Sequence, residues 1–151
     1  MLFMFTALVT LIVDQVTKYM VVSHMLPGES IPVLEPFFYL TYVLNPGAAF
    51  GILAHHRVFF VFVSLCFIAV VFLGYRFLPK DRLWLRLALG LVVGGAVGNL
   101  IDRLRLGGVV DFFDFRVWPV FNIADSAIVI GVLLMFLEMW RSEKKQSKEL
   151  R

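Results

Sequence analysis

Residues Val58–Tyr75 form a run of eighteen residues without a charged side chain, and no other feature restricts the fold of this chain as tightly. A helix needs about 20 mainly apolar residues to cross a ~30 Å hydrocarbon core. Three more segments fit the same description. Leu83–Ile101 is broken only by Arg86 near its start, where a long side chain reaches the interface. Phe121–Trp140 carries Asp125 near one end and Glu138 near the other, and Met1–Val22 is apolar except for Thr6, Thr10, Asp14, Gln15, Thr17 and Lys18. Composition agrees: 60% of the chain is hydrophobic, 17% is charged and 16 residues are Phe. A soluble chain of 151 residues cannot hide that much apolar surface, so the excess faces lipid or a partner. This excludes a disordered chain, an ordinary soluble enzyme and a disulfide-stapled secreted domain. The single cysteine, Cys66, lies midway along an apolar run and reads as a buried, inert thiol.

Met1–Val13 has the apolar character of a signal-peptide core but lacks a basic flank and a small-x-small cleavage site. The expected architecture is therefore an all-α membrane protein in one domain over residues 1–151, with four transmembrane helices near 1–22, 58–77, 83–101 and 121–140. Arg76, Lys80, Arg82 and Arg86 flank the second and third spans, and Arg141, Lys144, Lys145, Lys148 and Arg151 lie in the tail. The other connections carry Arg57 alone and Arg103, Arg105 and Arg116. An excess of Lys and Arg marks cytoplasmic loops, so both termini are expected in the cytoplasm, with Tyr75, Trp84 and Trp140 at the inner interface. A net charge of +3 without a basic-aromatic module points away from nucleic acid as a partner.

The two long outer connections are more than linkers. Ile31–Val43 is rich in aromatic and β-branched residues and contains Pro32 and Pro36, which suits short strands on the membrane surface. Asn45-Pro46-Gly47 signals a turn, and Gly47–Ala54 reads as a short surface helix, giving an extracytoplasmic β-cradle over about 26–56. Val109–Phe121 alternates acids with aromatics and is expected at the lipid–water boundary.

Polar residues at membrane depth are costly and mark function or structural pairing. Asp14 and Lys18, four apart on one helix face, are expected to neutralise each other. Gly90, Gly94 and Gly98 form a stripe that admits a neighbouring backbone closely. Asn99, Asp102 and Arg103 follow, either to hold substrate carbonyls or to cap the helix end. Asp111 and Asp125 are the most suggestive pair. If the chain between them loops back, their carboxyls meet at the outer face. Crowded carboxyls cannot both ionise easily, so they share a proton, and such a dyad activates water with one member and protonates a carbonyl with the other. Taken singly, each aspartate also fits an interfacial or helix-capping acid. No H-E-x-x-H, no G-x-S-x-G and no P-loop lysine is present. A transporter using Asp14, Asp102 and Asp125 as proton relays, and a scaffold built on the glycine stripe, are the other classes in view. The first requires acids along a continuous path, and the second leaves Asp111, Asn122 and Asp125 without a purpose.

Five blocks in order complete the picture: D-Q-x-T-K at Asp14–Lys18, N-x-G-A-A-F at Asn45–Phe50, G-G-A-x-G-N-L-I-D-R at Gly94–Arg103, V-V-D-F at Val109–Phe112 and F-N-x-A-D at Phe121–Asp125. With them the chain resembles, over nearly its whole length, the bacterial lipoprotein signal peptidases (signal peptidase II). The resemblance implies an aspartic endopeptidase that removes the signal peptide from diacylglyceryl-modified prolipoproteins, cutting before the lipidated cysteine. It implies Asp111 and Asp125 as the catalytic dyad, and Asn45, Asn99, Arg103 and Asn122 as residues that line the site. Asp14, Lys18, Gly47 and Asp102 fall to supporting positions. The expected setting is the bacterial cytoplasmic membrane, with the site at its extracytoplasmic face. The expected partners are the prolipoprotein and membrane lipid; a monomer is expected, and neither metal nor organic cofactor.

Overall fold

The structure, a computed structural model, describes residues 1–47, 56–78 and 82–149. Among these residues four helices are long and apolar enough to cross a membrane: α1 (Leu2–His24), α2 (Arg57–Tyr75), α3 (Leu83–Leu106) and α4 (Ile123–Glu149, of which Ile123–Ser142 is the apolar span). Among the described residues there are also three strands: β1 (Ser30–Leu34) and β2 (Phe38–Asn45) between α1 and α2, and β3 (Val109–Asp114) between α3 and α4. The short surface helix expected at Gly47–Ala54 lies, but for Gly47, outside the described residues.

The central helix is α3, packed against α1 on one side and α4 on the other. Its glycines explain why. A Cβ on Gly90 would stand 2.7 Å from the Thr6 Cβ, and one on Gly94 would stand 2.6 Å from the Ala7 carbonyl oxygen. The expected stripe thus meets α1, and without side chains the two backbones approach closely. Gly131 of α4 does the same from the other side, where a Cβ would lie 2.7 Å from the Ala88 carbonyl oxygen. Away from the sheet, Phe3 is buried beside Leu89 and Val93 and stacks on Tyr75 with ring centroids 4.3 Å apart.

None of the residues of α2 is buried, and the thiol of Cys66 is exposed on its surface. The expectation of a buried cysteine is corrected here: an apolar run in a membrane helix marks contact with lipid as readily as a protein core.

The strands form an antiparallel sheet in the order β1-β2-β3. Pro32 is tolerated because β1 is an edge strand. Val110 and Phe112 of β3 and Tyr42 of β2 pack on Val21 and Met25 at the end of α1. Full burial of such side chains stabilises by roughly 1.5–3 kcal/mol each, which seats the sheet on the helix ends. The strand β3 went unanticipated. It forms because Gly107, at φ +81°, ends α3 in a left-handed turn and releases the chain as an extended segment. The helix α3 also runs five residues beyond the expected Ile101, carrying Asp102 and Arg103 on its last turns.

Candidate active site

The sheet end of the bundle brings together α1, α3, β2, β3 and the start of α4, and nearly every singled-out polar residue lies there. Lys18, almost fully buried, contacts the Asp14 carboxylate at 3.0 Å and the Asp102 carboxylate at 2.9 Å. It donates its third bond, 2.9 Å, to the Asn99 side-chain oxygen. The Asp14 carboxylate also accepts the Ala124 N–H at 2.9 Å, and that of Asp102 accepts the Val110 N–H at 3.1 Å. The local pair read from the sequence is therefore half of a larger cluster that ties α1 to α3, α4 and β3. Gln15 adds bonds to Asp14 and Asp102, both 3.1 Å. Asp102 works as a tie rather than a helix cap.

On the other side of Asn99 stand Asp111 and Asp125. Three asparagines are oriented so that each amide nitrogen meets one of these carboxyls. The Asn99 oxygen is occupied by Lys18, and its nitrogen donates to the Asp125 Oδ1 at 2.8 Å. The Asn45 oxygen accepts the Gly47 N–H at 3.0 Å, and its nitrogen donates to the Asp111 Oδ2 at 3.0 Å. The Asn122 oxygen accepts the Asp125 N–H at 2.9 Å, while its nitrogen donates to the Asp111 Oδ1 at 2.7 Å. An amide whose carbonyl is engaged by a donor has only N–H to offer on its other side. Asn122 is also the cap of α4, and its own N–H returns a bond to the Asp125 Oδ2 at 3.3 Å, a reciprocal pattern of the capping-box kind. Among the described residues no buried side-chain nitrogen or oxygen lacks a partner.

Both aspartates, with Asn45, Gly47, Asn99 and Arg103, line a cavity of about 270 Å³, to whose wall Trp118, Pro119, Val120 and Phe121 also contribute. Burial pushes the Asp111 carboxyl up to about 7, with the negative charge of Asp125 adding to it and the bonds from Asn45 and Asn122 opposing it. The Arg103 guanidinium lies 5.0 Å from the centre of the Phe60 ring. Its neighbouring charges are Asp125, Asp111 and Asp102. A second recess, lined by Phe60, Val63, Phe67 and Ala96, shares Asn99, Arg103 and Asp125 with the first. It opens the site sideways between α2 and the α3–α4 pair. Asp114, close to Asp111 in sequence, is not part of this group: it leaves the strand on the other face, where its carboxylate accepts a 2.7 Å bond from Thr41.

The profile of the family described as Signal peptidase (SPase) II matches residues 6–141. This chain belongs to the signal peptidase II family. It is 51% identical over 147 residues to the lipoprotein signal peptidase of Moorella thermoacetica, covering 97% of this chain and 98% of that protein. With the lipoprotein signal peptidase of Pelotomaculum thermopropionicum it shares 54% identity over 143 residues, covering 95% and 94%. A solved structure described as a bacterial membrane enzyme superimposes with a TM-score of 0.86 at 35% identity, covering 95% of this chain and 90% of that one. Signal peptidase II membership makes this chain an enzyme, a membrane peptidase.

Sequence reasoning missed how Asn122 serves both aspartates. The signal was present: an asparagine three residues before an acid at a helix start has capping-box spacing.

Proposed function

We propose that this chain removes the signal peptide from diacylglyceryl-modified prolipoproteins by hydrolysing the bond before the lipidated cysteine, with Asp111 and Asp125 as the catalytic dyad. The observation that carries the proposal is that two carboxyls face one cavity while one of them, Asp111, is held near 7. Asp111 brings the proton and Asp125 receives one. Water adds to the scissile carbonyl carbon as Asp125 takes a proton from it and Asp111 gives its proton to the carbonyl oxygen. The resulting diol collapses as the C–N bond breaks. The leaving amine takes the proton from Asp125, and a hydroxyl returns one to Asp111. Proton transfers of this kind contribute about 10²–10⁴-fold each. Arg103 and Asn45 orient the substrate by binding carbonyls freed when its helix unwinds, which would otherwise cost several kcal/mol each in lipid.

The basic residues at the end of the bundle away from the sheet support a topology with both termini in the cytoplasm and the cavity at the extracytoplasmic face. A scissile bond near the outer interface of a bacterial cytoplasmic membrane then meets the dyad without water entering the hydrocarbon core. The chain works as a monomer in this reading, with the sheet as its cradle against lipid.

The test is cleavage of a diacylglyceryl-modified precursor by the purified protein in detergent, beside Asp111→Asn and Asp125→Asn. Wild type releases the signal peptide, and both variants fold but lose activity by about 10³-fold or more. Variants that cleave at the wild-type rate overturn the dyad. An inert wild type, on a precursor that another signal peptidase II processes, overturns the substrate assignment.

A further inference from the structure

Arg116 is the one non-glycine residue with a left-handed backbone among those described, at φ 64°. Such a conformation is disfavoured for a residue with a side chain and persists only where the surroundings impose it. Its side chain shows what imposes it, because it grips all three strands at once. One guanidinium nitrogen donates to the Ser30 hydroxyl of β1 at 2.8 Å. The guanidinium carbon lies 3.7 Å from the centre of the Tyr39 ring of β2. The other terminal nitrogen is 3.5 Å from the Asp114 carboxylate of β3, which also accepts the Arg116 backbone N–H at 2.8 Å. Thr41 closes the ladder between Ser30 and Asp114, at 2.8 Å and 2.7 Å. None of these groups touches the cavity. Two residues further along the chain, however, Trp118 lines the cavity that the aspartates share, followed by Pro119 and Val120.

We propose that Arg116 is a positioning residue that clamps the segment 115–120 to the sheet and so sets where Trp118 stands over the bound substrate. The strained turn directs the chain back toward α4, and the guanidinium holds that turn against the strands. Trp118, 61% exposed, then presents a broad amphipathic ring to the apolar, lipid-bearing part of the substrate. The consequence for the reaction rests on the substrate reading above, whereas the clamp itself does not.

Two substitutions separate the side chain from the backbone. Arg116→Gly accepts the left-handed turn freely and deletes the clamp, and Arg116→Lys keeps the cation but loses the planar fork. Trp118 position is read by its fluorescence after Trp84→Phe and Trp140→Phe leave it the only tryptophan, using iodide quenching in detergent micelles. The expected result for Arg116→Gly is increased quenching of Trp118, together with a KM raised about three- to tenfold and kcat nearly unchanged, as loss of one partly exposed cation–π contact and ion pair predicts. Arg116→Lys recovers part of both. Unchanged quenching and KM in Arg116→Gly overturn the clamp, as does an equal fall in kcat without a change in KM. If the wild type fails to cleave the precursor while Arg116→Gly still unmasks Trp118, the clamp stands and the substrate assignment falls.

Discussion

Replacing Asp111 by Asn tests the proton on this carboxyl without reference to any substrate. In the folded protein the group is raised from its ordinary value of 3.8 to about 7. Between those values the folded state holds a proton that the unfolded chain releases. The contribution of the group to stability is therefore fully present below about 3.8, falls as pH rises, and levels off above about 7. At 1.36 kcal/mol per tenfold change in proton affinity, the loss is about 4 kcal/mol at most. The bonds donated by Asn45 and Asn122 are already within that figure. Asparagine cannot ionise, so it escapes the loss, but it carries a penalty of its own. Its amide nitrogen must face either Asn45 or Asn122, and both present N–H there. One lost bond and one opposed donor cost roughly 1–3 kcal/mol at every pH.

The two effects differ in pH dependence, so their difference changes sign. Asp111→Asn is less stable than wild type near pH 4.5, by up to about 2 kcal/mol, and more stable near pH 8.5, by roughly 1–3 kcal/mol. Thermal unfolding of both proteins in one detergent, followed by tryptophan emission from pH 4.5 to 8.5, gives the measurement. A melting-temperature difference that stays constant across that range refutes the reasoning, because Asp111 would then ionise as an ordinary exposed carboxyl does. The wild-type cleavage rate must follow the same proton, falling about tenfold per pH unit on the basic side of about 7, since the proposed general acid is then deprotonated.

Two further perturbations probe the scaffold. Gly98→Ala places a methyl group on the Asp14 carboxylate, whereas Gly74→Ala meets nothing within 4 Å; the first is expected to lower the melting temperature as overpacking by about 1–3 kcal/mol or more does, and the second to leave it nearly unchanged. Lys18→Met leaves the carboxylates of Asp14 and Asp102 buried without their cation, a loss of about 3–5 kcal/mol seen as reduced folded yield, and adding Asp102→Asn recovers part of it.

What the sequence disclosed and what it concealed follow from the range of each interaction. Asp14 with Lys18, and Gly90 with Gly94 and Gly98, are spaced for one helix face, so periodicity alone exposes them. The spans follow from hydropathy. By contrast, Val109–Asp114 is buried on both faces except at Phe113, so β3 lacks the alternation by which a half-buried strand is recognised. The long-range halves of the site were equally hidden. That Lys18 reaches Asp102 depends on how closely α1 meets α3, and that Asn45 reaches Asp111 depends on the register in which Val43 pairs with Asp111. Asp102 and Arg103 read as the very end of the third helix because the apolar run stops at Ile101, whereas α3 continues to Leu106 and Gly107 ends it.

The separation between the lysine cluster and the aspartates has a chemical consequence. A buried ammonium in direct contact with Asp111 would favour its ionised form and remove the proton the proposed mechanism needs. Lys18 instead spends its contacts on Asp14 and Asp102, and reaches Asp125 only through the Asn99 amide. Its influence on Asp111 is accordingly the weakest of those acting on that carboxyl, and burial and the neighbouring Asp125 prevail. Neutral amides are well suited to the intervening position: they fix the geometry of both carboxyls with directed N–H groups while bringing no charge of their own. The cluster thus sets where the aspartates stand, and burial beside Asp125 sets that Asp111 holds a proton.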